Sequence, residues 1–108
     1  MDPECCEVVV TGPDAGWLAG FTRTLVEERL AACGHVQPAI RSVYRWEGAV
    51  HDEPEARVGL HTRRSLVPAV VARTAELHPY DVPCVIAVPL VGGSRAYLEW
   101  VAAETREA

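Results

Sequence analysis

The residues best suited to chemistry in this 108-residue chain are sulfur and imidazole donors, and the sharpest pairing is Cys33-Gly34-His35. In an extended segment, residues two apart share a face with β-carbons about 6–7 Å apart, so a thiolate and an imidazole can meet on one ion. Soft sulfur with borderline nitrogen suits copper or zinc. The competing reading is purely structural: Cys33 is a small buried hydrophobe and His35 a surface residue. Cys5, Cys6 and Cys84 form no Cys-x-x-Cys. Cys5 and Cys6 are adjacent, so in a strand they point to opposite faces and do not readily grip one metal. His78-Pro79-Tyr80 with Pro83 reads mainly as conformational. Pro79 ends a helix, Pro83 stiffens a turn, and His78 meets the negative end of the helix dipole, which favours its protonated form. The acidic stretch Glu47 to Glu55, with His51, lacks the spacing of a calcium loop and reads as a solvated hairpin tip.

Composition removes several classes of chemistry. All 10 cations are Arg, and the chain has neither Lys nor Asn. There is therefore no Schiff-base lysine, no phosphate-loop lysine and no Asn-dependent hydrolase or kinase site. A net charge of −5 argues against nucleic acid and anionic membranes as partners. Sparse cysteines, an acidic N-terminus and the lack of an 18-residue apolar run point to a cytoplasmic chain kept in a reducing environment. The length predicts a single domain over residues 1–108, with residues 1–4 a flexible N-terminus.

The elements that must position these groups follow one another closely. Cys5 to Thr11 reads as a buried strand stopped by Gly12-Pro13-Asp14, with Asp14 capping a helix. Trp17, Leu18, Phe21, Leu25, Val26 and Leu30 recur at helical spacing, which predicts an amphipathic helix from Ala15 to Ala32. Cys33 to Val36 and Ile40 to Trp46 read as extended, interrupted by Pro38 at a bulge or edge. Residues 47–55 are expected to be a loop returning as a strand from Ala56 to Thr62. Ser65 is the expected cap of a second helix burying Leu66, Val67, Val70, Val71 and Leu77. Cys84 to Val91 reads as a fourth strand, and Ser94 opens a short helix carrying Tyr97, Leu98, Trp100 and Val101. The order β-α-β-β-α-β plus a terminal helix is a ferredoxin-like α+β sandwich.

That fold is shared by copper chaperones, RNA-recognition modules and acylphosphatases. The first need Cys-x-x-Cys after the first strand, the second need stacking aromatics on the third strand, and the last need an Asn; all are missing here. Three stretches carry a closer resemblance: Leu25-Val-Glu-Glu-Arg-Leu-Ala-Ala-Cys33, Ser42-Val-Tyr-Arg-Trp-Glu-Gly48 and Glu76-Leu-His-Pro-Tyr-Asp-Val-Pro-Cys-Val-Ile-Ala-Val-Pro89. With the terminal Ala96-Tyr-Leu-Glu-Trp100, they resemble the CutA family of divalent-cation tolerance proteins from about Val8 to Thr105. The resemblance implies a cytoplasmic homotrimer linked to copper and other divalent ions, responding to metal and having no established enzymatic reaction or obligatory cofactor.

The resemblance also marks departures. His35 stands where the family usually has Asn, His61 where it has Lys, and Cys84 where it has Glu. Cys33, a residue implicated in metal binding in the family, thus gains His35, His61 and Cys84 as candidate ligands for copper or zinc. Neutral drift of these positions is the alternative. Tyr44 and Trp46 lie two apart on the hairpin strand and are expected to face a subunit boundary. With Arg63, His78 and Tyr80 they form a candidate ligand or interface pocket. A second functional reading is a PII-like signalling subunit that binds an anion or metabolite between subunits through Arg41, Arg45, Arg63 and Arg64. A third is a thiol enzyme using Cys33 or Cys84.

Overall fold

The computed structural model describes residues 4–107. The expected flexible N-terminus falls on residues 1–3, outside the described residues, and on Glu4, whose carbonyl accepts the Arg64 N–H at 2.6 Å. Four strands and three helices run in the order β1 (Cys5–Gly12), α1 (Ala15–Glu27), β2 (Cys33–Trp46), β3 (Ala49–Arg63), α2 (Val67–Leu77), β4 (Val85–Pro89) and α3 (Arg95–Glu104). The strands form one antiparallel sheet, ordered β2-β3-β1-β4. No described helix is long and apolar enough to cross a membrane.

Strand alternation divides the sheet into two faces. Val8 and Val10 of β1 and Ala56, Val58 and Leu60 of β3 point to one side, where Leu18, Phe21 and Leu25 of α1 and Val70 of α2 complete the main core. Gly34 lies on this face, where a β-carbon would come within 2.6 Å of Thr22 Cγ2, so its absence lets α1 settle on β2. The opposite side carries a smaller cluster of Cys5, Ala32 and Val101, with Tyr97 and Leu98 of α3 packed on it.

Five sequence expectations are corrected. The first helix ends at Glu27 rather than Ala32 because Arg29 adopts a left-handed backbone, with φ of 60°. Arg29 N–H donates to the Val26 carbonyl and Leu30 N–H to the Leu25 carbonyl, a Schellman closure made without glycine. Its guanidinium reaches the Ala103 and Glu104 carbonyls of α3, so a distant element holds the unfavourable residue in place. The expected loop over residues 47–55 is a two-residue turn, Glu47 at φ 50° and Gly48 at φ 80°, with β3 already running from Ala49. Those values are the mirror-image turn that fits the twist of paired strands. The bulge at Pro38 does occur, as a register shift between Gln37 and Ile40.

Ser65 does not cap α2. It lies in a single 3-10 turn, Arg64–Leu66, and α2 begins at Val67 without a side-chain cap. Val71 is exposed rather than buried. The fourth strand is shorter than expected, leaving Cys84 outside it. Because β1 pairs only with Ala56–Arg63 of β3, the remaining halves of β2 and β3 project as a two-stranded arm.

Candidate functional site

The face beneath α3 brings together groups from four elements. Cys33 of β2 is the register partner of His61 on β3, and His61 is in turn the partner of Glu7 on β1. Their side chains therefore form a row across three strands, and Tyr97 of α3 lies over it. Cys33 Sγ is 3.8 Å from His61 Nδ1 and 3.2 Å from the Tyr97 hydroxyl. The Tyr97 hydroxyl is 2.5 Å from His61 Nδ1, and His61 Nε2 is 2.8 Å from Glu7 Oε2.

Chemistry orders this network. A carboxylate only accepts hydrogen bonds, so His61 Nε2 carries the proton and donates it to Glu7, leaving the Nδ1 lone pair facing Tyr97 and Cys33. The Tyr97 hydroxyl donates to Nδ1 and its oxygen accepts from the Cys33 thiol. Burial pushes the Tyr97 phenol well above its usual range, and the bond with Cys33 reinforces that shift. Gly59 makes room for the acid: a β-carbon there would sit 2.9 Å from Glu7 Cδ.

His35 is exposed on the same face, with its ring centroid 5.2 Å from that of His61. One donor atom each from Cys33, His35 and His61 lies within 4.8 Å of the others. Tetrahedral zinc, with bonds of 2.0–2.3 Å, needs donor spacings of about 3.3–3.8 Å. The sulfur and Nδ1 already meet that spacing, and His35 closes the rest by turning an exposed ring. Glu7 on the far nitrogen of His61 is the carboxylate partner that fixes a metal-binding imidazole. The donor set therefore fits a zinc or copper ion.

Cys84 does not join this group. It lines a cleft of about 790 Å³ between the β2–β3 arm and residues 79–84, together with Tyr44, Trp46 and Tyr80. The expected ligand or interface pocket is thus only partly assembled. Tyr44, Trp46 and Tyr80 meet there, whereas Arg63 points to α3, donating to the Ala102 carbonyl at 2.7 Å and the Thr105 carbonyl at 2.9 Å. His78 is buried behind the cleft, donating from Nε2 to the Thr11 carbonyl at 2.7 Å and accepting the Tyr80 N–H on Nδ1 at 3.2 Å. Both ring nitrogens are thus taken up by backbone groups on either side of the turn.

Three acidic groups of the arm, Asp52, Glu53 and Glu55, are paired. Arg41 grips Asp52 through two bonds of 2.7 and 2.8 Å, Tyr44 donates to Glu53, and Tyr80 donates to Glu55. Burial, aided by Glu55, pushes the Tyr80 phenol up to about 12.

Glu7 and Tyr97 were not singled out as site residues by the sequence reading. Glu7 had a signal: a lone acid between Cys6 and Val8 in an apolar strand is a polar group headed for burial and needs a partner. Tyr97 had none, because helical spacing explains it as packing.

A profile of the CutA1 divalent ion tolerance protein family matches residues 6–104. The chain belongs to that family. Protein CutA, chloroplastic, of Arabidopsis thaliana is 42% identical over 99 residues, which cover 92% of this chain but 54% of that protein. The chain thus spans about half the length of this plant relative. The divalent-cation tolerance protein CutA of Thermus thermophilus is 38% identical, covering 91% of this chain and 95% of that one. Crystal structures agree: CutA1 from Oryza sativa superposes with a TM-score of 0.94 at 39% identity, covering 99% of this chain and 98% of that chain. Within this family the described chain carries a Cys/His group that could hold a metal.

Proposed function

We propose that this chain is a non-catalytic, metal-responsive protein that binds a copper or zinc ion at Cys33, His35 and His61. The convergence of these three donors, with Glu7 holding His61 in the binding tautomer, carries the reading. Sulfur with imidazole selects borderline and soft ions over magnesium or calcium, which take oxygen ligands. The thiol must stay reduced to serve, and all four cysteines are free, in keeping with a cytoplasmic setting.

Homotrimeric assembly, which the family resemblance implies, has physical support in exposed apolar surface. Val43 and Val50 on the arm are 65% and 62% exposed, and Ile86 and Val88 on the edge strand β4 are 56% and 46% exposed. An open edge with such side chains calls for a partner. Cys84, Tyr44, Trp46 and Tyr80 line the cleft nearest this surface. The anion-binding alternative has less support, because Glu53, Glu55 and Asp81 line that cleft, Asp52 occupies Arg41, and Arg63 serves α3.

The test is thermal. Zinc or copper(II) at about 100 times the dissociation constant adds about 2.7 kcal/mol of stability through linkage. We expect a clear rise in melting temperature that Cys33→Ser and His61→Ala abolish and Cys84→Ser does not. An unchanged melting temperature with either ion refutes the site.

A further inference from the structure

We infer that Tyr97 is the fourth donor of this metal site, so that a bound ion ties the C-terminal helix to the sheet. The inference rests on the proposed reading of Cys33, His35 and His61 as ligands. Those three residues come from β2 and β3 and leave one corner of a tetrahedron open. The Tyr97 oxygen lies 3.2 Å from Cys33 Sγ and 2.5 Å from His61 Nδ1, nearer to each than the 3.8 Å that separates them. It is thus beside both donors at once, and it arrives from a different element.

Glu7 does not compete for that corner. Its carboxylate is engaged at Nε2, on the opposite edge of the imidazole ring. Among the described His, Cys, Asp and Glu residues, only Cys33, His35 and His61 form such a group. On ligation, the Cys33 thiol and the Tyr97 hydroxyl each release a proton to the buffer, and His61 keeps its Nε2 proton, donated to the Glu7 carboxylate. The spacing between the Tyr97 oxygen and Nδ1 must then open to about 3.3 Å. The N-terminal half of α3 is suited to that adjustment: its far end is clamped by Arg29 and Arg63 on four successive carbonyls, from Ala102 to Thr105. Tyr97 lies one helical turn after the Ser94 cap, away from those clamps.

The alternative is that Tyr97 is an occupant that an incoming ion displaces. Displacement costs α3 two of its bonds to the sheet, whereas ligation replaces them with a stronger one. The two outcomes move amide exchange in opposite directions. Hydrogen–deuterium exchange of the full chain with and without saturating zinc should show the amides of Arg95–Glu104 slowed about tenfold or more. In Tyr97→Phe, equilibrium dialysis should show zinc still bound, about tenfold more weakly, with no slowing in α3. Unchanged or faster exchange of α3 in the zinc-bound wild type overturns the role of Tyr97 and leaves the three-ligand site standing. If dialysis finds no zinc on the wild type, both fail together.

Discussion

The two faces of β3 differ by a single step along the chain and do different work. Ala56, Val58, Leu60 and Thr62 point into the core under α1 and α2, and all four are fully buried. Gly59, His61 and Arg63 point the other way, toward Glu7, Tyr97 and the carbonyls ending α3. One face is a packed apolar layer held by shape, and the other is a chain of directional hydrogen bonds. The period-two alternation of a strand therefore separates what keeps the chain folded from what it can bind. The α3 helix is small and buries only Val101 fully, so much of its attachment is polar.

Substitutions on each face should separate these roles. The largest effect is expected from Leu60→Ala, which empties a fully buried site and should cost about 2–5 kcal/mol in denaturant unfolding. Zinc affinity measured while the variant is still folded should stay near the wild-type value; a parallel loss of affinity would break the separation. Next comes Glu7→Gln, which replaces the charged acceptor at His61 Nε2 with a neutral amide that accepts more weakly and can turn its NH2 toward the ring. We expect zinc affinity by titration calorimetry to fall about 10–100-fold, with a much smaller change in the melting temperature of the metal-free protein. A variant that binds zinc as the wild type does would show that His61 is oriented by its strand alone.

The smallest effect lies away from both faces. Arg73 makes two bonds to Glu28, at 2.9 and 2.8 Å, and holds its carboxyl below the usual range. A lowered folded value means that the unfolded chain binds the proton more tightly. The contribution is therefore present above about pH 4.3 and is lost as pH falls through the lowered folded value. Glu28→Gln should lower the melting temperature slightly at neutral pH and leave it unchanged in strong acid, which flattens the acid limb of the profile.

Much of the order of elements was legible because it rests on local patterning. Apolar residues at steps of three and four marked α1, and Asp14 accepts the Trp17 N–H at 2.7 Å as a helix cap should. Ser94 likewise caps α3. The misread boundaries have nonlocal causes. Arg29 ends α1 in a conformation that favours glycine, and its bonds to α3 hold it there. The Glu47-Gly48 turn lacks the usual Asn or Asp, and cross-strand pairs such as Arg41 with Asp52 make strand out of what composition suggests is an acidic loop.

The candidate site divides in the same way. Cys33 and His35 share a face because they are two apart in a strand, which the local sequence already implies. That His61 joins them while Cys84 does not depends on the register of β2 against β3 and on where β4 begins. Glu7 and Tyr97 lie 54 and 36 residues from His61 along the chain. Spacing along the sequence carries information about neighbours on one element. It carries none about which elements meet, because that depends on burying the whole apolar face at once, and the polar row under α3 is assembled as a consequence.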